Sequence, residues 1–209
     1  MDGKTLNIKN KSRGLTLMET LVAIGILSVA ISGPLMLSAR GLIFAKYAKD
    51  QIIAFYLAQE AVEIVRNIRD GNLKAGGNWL DGLEQCIDHD CLVDVWTIGD
   101  TEAQGIGWNK GILPCPVGVC PAVKVLESQE VDLGSMVIYG HQFNVNSSCD
   151  TIEVLCNDSS FVRRFSLTRV EYPDDDPSFQ DEVVLSVVVT WKRGTINKDL
   201  VISENLFNL

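Results

Sequence analysis

Six cysteines, two histidines and a short run of aspartates are the residues of this 209-residue chain whose types could do chemistry. The cysteines fall into close pairs, Cys86/Cys91, Cys115/Cys120 and Cys149/Cys156. Thiols spaced this way can form disulfides in an oxidising compartment or, with a histidine such as His89, ligate zinc. Zinc sites usually space their cysteines two to four residues apart, and no second histidine sits near His89, so disulfides are the expectation. Local pairing is favoured because short loops close at little entropic cost, although sequence alone does not choose the connectivity. Asp174, Asp175, Asp176 and Asp181, next to Glu182, offer hard oxygen ligands and are weak candidates for calcium. Their spacing is not that of an EF-hand loop, and Pro173 and Pro177 favour a solvated turn, so no cofactor is expected. His89 and His141 lie on unrelated segments. No nucleophile elbow, phosphate-cradling glycine loop or zinc-protease helix is present, and the chain is not expected to be an enzyme.

One further acid stands out by its surroundings. Glu19 precedes an uncharged run from Leu21 to Ala39 that is long enough to span hydrocarbon as a helix. A charge in such a segment costs about 2.5–3.5 kcal/mol on insertion scales and asks for a partner. Cutting the chain after Gly14 would create one, a free amine at Leu15 that could pair with Glu19 of a neighbouring chain. Residues 1–14 hold Lys4, Lys9, Lys11 and Arg13 against Asp2, whereas the whole chain carries a formal charge of -9 and a pI near 4.7. A basic head, an apolar run and an acidic body read as a cytoplasmic segment, a membrane crossing and an exported domain. Arg40, Lys46 and Lys49, beyond the span, narrow this asymmetry without reversing it. The acidic balance gives nucleic acid no electrostatic footprint.

These residues need elements to position them. Gly33 and Pro34 interrupt the apolar run, where proline removes a backbone donor and predicts a kink or local melting. Past Arg40, Ile53, Leu57, Ala61, Ile64 and Ile68 recur at helical spacing and mark one apolar face. Arg66 and Asp70 form an i, i+4 pair, and Gly71-Asn72 with Gly76-Gly77 should end the helix. Beyond it, residues 92–98, 136–145, 161–171, 182–192 and 198–204 read as strands, with Arg193-Gly194-Thr195 as a hairpin turn. The glycine- and proline-rich stretch 99–135 reads as a long loop pinned by cysteines. Trp79, Trp96, Trp108 and Trp191 are expected to pack in the core. The fold expected is α+β: a long N-terminal transmembrane and amphipathic helix packed on an antiparallel sheet, with disulfide-clipped loops. The division expected is a leader at 1–14, a helix at 15–70 that is transmembrane over 20–39, and a β-rich head at 71–209.

The stretch Lys11-Ser12-Arg13-Gly14-Leu15-Thr16-Leu17-Met18-Glu19-Thr20-Leu21-Val22-Ala23 resembles the N-terminal signature of the type IV prepilin family, which includes the pseudopilins of type II secretion. The resemblance implies that a membrane peptidase cuts after Gly14, that Leu15 becomes the N-terminus and is N-methylated, and that Glu19 supports assembly. Leu15 stands where most members carry phenylalanine, a departure that bears on methylation more than on cleavage. Thr20-Leu-Val-Ala-Ile and Ala58-Gln-Glu-Ala-Val-Glu-Ile-Val-Arg look most like minor pilins and minor pseudopilins, and the resemblance covers residues 1–70. It implies a pilin-like structural subunit whose partners are other pilin or pseudopilin subunits, the prepilin peptidase, an inner-membrane assembly platform and membrane lipid. It also implies a single-pass protein with a cytoplasmic N-terminus and an extracytoplasmic head, later part of an extracellular or periplasmic filament. A type IV pilus, a secretion pseudopilus and a DNA-uptake filament all fit. The competing reading is a single-span, membrane-anchored binding domain that forms no filament.

Overall fold

The computed structural model describes residues 16–94, 111–115, 119–128, 136–140, 154–170 and 182–208. The chain forms two units, Met1–Lys49 and Asp50–Leu209, and helix α1, Leu17–Ala75, contributes to both. α1 continues through Gly33 and Pro34, so no unwound turn interrupts it there. It also runs past Gly71-Asn72, later than the sequence predicts. A glycine in a helix interior costs about 1 kcal/mol, and here a tertiary role for Asn72 offsets it. The Asn72 side chain is buried and donates to the carbonyls of Trp79 at 3.1 Å and Asp81 at 2.9 Å, holding the next turn against the helix. The true stop is Gly76, at φ 69°. Its N–H donates to Leu73 O and that of Gly77 to Asn72 O, the paired bonds of a Schellman cap.

The second unit packs the later part of α1 on an antiparallel sheet. In chain order the strands are β1 Cys91–Val93, β2 Ile112–Pro114, β3 Lys124–Ser128, β4 Met136–Gly140, β5 Val154–Asp158, β6 Phe161–Arg169, β7 Glu182–Arg193 and β8 Ile196–Phe207. The main sheet has the order β2-β1-β6-β7-β8, and a smaller one β4-β3-β5. Alternation decides which face of the main sheet is buried. Phe161, Phe165 and Leu167 on β6, Val183, Leu185, Val187, Val189 and Trp191 on β7, and Leu206 on β8 all meet the helix residues Ala54, Leu57, Ala58, Ala61, Val65 and Ile68. The three alanines let backbone and sheet approach closely. Tyr139 of β4 meets the Phe161 ring edge-on, with centroids 6.1 Å apart, and joins the small sheet to this core. β7 and β8 pair without a bulge from Glu182↔Phe207 to Arg193↔Ile196. Only Gly194 and Thr195 remain between them, and φ 60° at Gly194 suits the first position of a type II′ turn.

The fold is α+β, one long helix against antiparallel strands with cysteine-clipped turns, but the stretch 99–135 is not simply a loop. It supplies β2 and β3. β2 is three residues long and ends in Pro114, which lacks the donor a central strand needs and accordingly lies at the sheet edge. Cys86 is bonded to Cys91 and Cys115 to Cys120, with Cα separations of 5.6 and 4.9 Å. The first bond links the 3-10 turn Glu84–Cys86 to β1 inside the core, where both cysteines are fully buried. Cys149 and the Cys156 side chain lie outside the described residues. Phe165 is fully buried between helix and sheet. Phe165→Ala is therefore expected to lower the unfolding free energy of the detergent-solubilised full chain by about 3–5 kcal/mol. Denaturation followed through tryptophan fluorescence checks this, and a loss below about 1 kcal/mol would contradict the packing described.

Candidate functional site

The first turn of α1 carries the residues that the sequence marks out. Gly14 and Leu15 lie outside the described residues. Thr16 is the residue before the helix, and its Oγ1 accepts the backbone N–H of Glu19 at 3.3 Å. Thr-x-x-Glu is the sequence of a capping box, so Thr16 satisfies one of the orphan donors of the helix start. An acid in the first turn is also favourable beside the positive end of the helix dipole. Glu19 thus has a reason to be here within its own chain, besides the interchain one read from its cost in hydrocarbon. The pattern was present in the sequence and needed only the helix start to be recognised.

From Leu21 to Ala39 α1 carries no charge and is largely apolar. Leu21, Val22, Ile24, Ile26, Leu27, Val29, Ile31, Leu35, Met36 and Leu37 are all exposed. By length and composition α1 can cross a membrane. Three of its hydroxyls bond within the helix. Thr20 donates to Leu17 O at 2.8 Å, Ser28 to Ile24 O at 2.8 Å and Ser32 to Val29 O at 3.0 Å. None of these three hydroxyls needs a partner from outside the helix.

In the second unit, three arginine–carboxylate pairs join α1 to the sheet. Asp50 meets Arg193, Glu60 meets Arg163, and Arg66 meets Glu204. Arg163 is fully buried, and besides Glu60 it donates to Leu57 O at 3.2 Å and Val93 O at 2.7 Å. Arg66 grips Glu204 with both Nε, at 2.8 Å, and Nη2, at 2.5 Å. Its hydrogen bonds to Glu204 push its pKa further up against the opposing effect of desolvation. The Arg66–Asp70 pair expected from spacing is not formed. Arg66 turns to Glu63 and Glu204, and Asp70 pairs with Arg69 at 2.5 Å.

The outer face of the sheet holds a cleft of about 720 Å³ with Asp88, His89, Asp90, Arg164 and Thr168 on one side and Val119 with the Cys115–Cys120 bond on another. Arg164 pairs with Asp90 at 3.0 Å, and His89 Nδ1 lies 2.9 Å from Ile87 O. Asp88 adopts φ 58° in the tight turn between the two cysteines, a conformation that aspartate tolerates better than most residues. Sequence reasoning missed this cleft because strand pairing assembles it from three separate segments. Among the described residues no group of three His, Cys, Asp or Glu could hold a metal. The calcium candidates Asp174, Asp175, Asp176 and Asp181 lie outside the described residues, as do His141, Trp96 and Trp108. Trp79 and Trp191 are core residues.

Residues 9–33 match the family model of the prokaryotic N-terminal methylation motif, the prepilin-type signature of type IV pilins and pseudopilins. The match ends inside α1, before any residue of the head. No curated protein and no solved structure matches the chain. The signature and the exposed apolar helix together support membrane anchoring through α1. Thr16→Ala is expected to weaken the helix start by about 0.5–2 kcal/mol, and Thr16→Ser to preserve it. Faster exchange of the Glu19 amide in detergent micelles would report the loss, and identical exchange in wild type and Thr16→Ala would refute the cap.

Proposed function

We propose that this chain is a structural subunit, of the minor kind, in a type IV pilus or a type II secretion pseudopilus. The observation that carries the reading is the prepilin-type signature at residues 9–33, set on a helix whose apolar side chains from Leu21 to Leu37 are exposed. The basic leader keeps the N-terminus in the cytoplasm until a membrane peptidase cuts after Gly14. Leu15 then presents a free amine that is N-methylated. Glu19 of one subunit pairs with this amine on its neighbour, and the charge that is costly in lipid becomes a register mark between packed helices. Gly33 and Pro34 provide a point where α1 can bend as it leaves the bilayer for the filament. The disulfide-clipped head stays outside the membrane and has a structural rather than a catalytic role.

A membrane-anchored binding domain without a filament would share the helix and the head, and the two readings part at the N-terminus. Mass spectrometry of protein from a host with an active prepilin peptidase is expected to find a chain that begins at Leu15 and carries an N-methyl group. An intact Met1 start under those conditions would falsify the proposal. Glu19→Ala is expected to leave cleavage unchanged while incorporation into filaments falls at least about tenfold, the equivalent of one lost charge-assisted contact. Undiminished incorporation would remove the pairing role assigned to Glu19.

A further inference from the structure

The cleft on the outer face of the main sheet lies wholly within the second unit, and its two sides differ in chemistry. One side is polar. Alternation along β6 puts Arg164, Ser166 and Thr168 on the face away from the core, about 6.8 Å apart. The turn Asp88–Asp90 is tied to the same strand, with the Asp88 N–H donating to Leu167 O at 2.8 Å. The other side is apolar. Pro114 ends β2, and Val119 stands 73% exposed beside the Cys115–Cys120 bond. The Cys115 N–H donates to Asp90 O at 2.8 Å and so joins this wall to the acidic turn. Both sides are held by backbone hydrogen bonds, and the cleft is preformed.

A volume of about 720 Å³ suits a small organic ligand, since such sites usually measure about 300–1,000 Å³. The charges narrow the choice. Arg164 is already matched by Asp90, and Asp88 adds a second carboxylate, so an anion would be repelled. A cation would gain from Asp88 and lose to Arg164. A wholly apolar ligand would strip water from the Arg164–Asp90 pair and return nothing. What matches both sides is a neutral ring, hydroxylated at its edge and apolar on its face. Asp90 and Arg164 set an acceptor beside donors, so one ring hydroxyl can donate to the first while its neighbour accepts from the second. His89 adds an acceptor, because its Nδ1 faces the Ile87 carbonyl, which can only accept, and Nε2 is left bare in the neutral ring. Outside the cleft, Ser166 stands opposite Ser186 and Ser186 opposite Ser203, with the last two hydroxyls 3.2 Å apart. This hydroxyl row leads from the cleft across β7 and β8.

We propose that the cleft binds a neutral saccharide, with two adjacent ring hydroxyls bridging Asp90 and Arg164. The C–H face of the ring lies against Val119 and the Cys115–Cys120 bond, and further rings of the same chain follow the serine row. The site uses no residue of α1, so it adds recognition of a ligand to the structural role proposed above and does not depend on it.

The test uses the full chain in phosphatidylcholine nanodiscs, which avoids detergents with sugar headgroups. Neutral tetrasaccharides of glucose, mannose and galactose are titrated by calorimetry and saturation-transfer NMR, beside tetragalacturonate as the acidic match and the glucosamine tetramer as the cationic one. At least one neutral tetrasaccharide is expected to bind with a Kd of about 1 mM or tighter. Tetragalacturonate should bind about fivefold more weakly than that neutral ligand, the repulsion of one carboxylate pair at the cleft. Arg164→Gln and Asp90→Asn should each weaken neutral binding about tenfold, the loss of one charge-assisted hydrogen bond. Asp88→Asn keeps a residue that tolerates the positive φ, and it should close the gap between the acidic and neutral ligands. Val119→Ser should weaken every neutral ligand. All four side chains are at least partly exposed, so unfolding followed by tryptophan fluorescence should be unchanged. Failure of every neutral tetrasaccharide to bind tighter than about 10 mM overturns the proposal. Tighter binding of the acidic or the cationic tetramer overturns the choice of a neutral ligand. Neutral binding that all four variants leave unchanged overturns the site.

Discussion

Arg163 brings a full charge into the interior, and three elements have to meet around it. Stripping water from a guanidinium costs several kcal/mol, recovered only when its donors find good acceptors. Those acceptors are Glu60 and the Leu57 carbonyl on α1 and the Val93 carbonyl on β1, while Arg163 belongs to β6. Its two terminal nitrogens therefore find these acceptors only when helix, central strand and the short β1 are all in place, while the buried Nε has no partner among the described residues. A sheet of aliphatic side chains would pack against a sliding helix almost as well in neighbouring registers. A buried charge with acceptors at fixed positions would not. The outer pairs, Asp50–Arg193 and Arg66–Glu204, are half exposed and each is worth about 1 kcal/mol or less, but they repeat the same registration at the two ends of the seam.

What could be read from the sequence divides by the distance over which each signal acts. The stripe Leu57, Ala61, Ile64 and Ile68 and the alternation along β6, β7 and β8 are local, and both mark buried faces in the structure. Arg163 stood in plain view within the alternating series Phe161, Arg163, Phe165, Leu167, where its slot already assigned it to the core. It was passed over because an arginine is expected outside. The end of α1 was misplaced because Gly71 and Asn72 look like a stop unless one knows that Asn72 has carbonyls to hold. β2, β3 and β5 are three to five residues long, too short for a period to show against the glycines and prolines around them.

The same division separates the two candidate sites. The N-terminal motif is contiguous, so its residues and their spacing were legible at once, and even the Thr16 cap was implied by its partner three residues on. The cleft around Arg164 draws on residues 88–90, 114–120 and 164–168, brought together only by the pairing of β1 with β2 and β6. The β7–β8 hairpin is a mixed case. Its turn was readable from Arg193-Gly194-Thr195, but its position beside Asp50 depends on ion pairs that no pattern announces.

The inward-bonded hydroxyls of α1 have a consequence for how this protein could change surroundings. Ser28 and Ser32 each spend their donor on a carbonyl of their own helix, so these residues enter hydrocarbon with no polar claim on whatever lies alongside. Moving the helix from acyl chains to the flank of another helix then breaks no hydrogen bond at these positions and needs none to be made. Over most of its apolar length α1 is indifferent to its neighbour, as a well-lubricated shaft is to its sleeve. The choice between lipid and protein is left to shape and to the single carboxylate at its first turn.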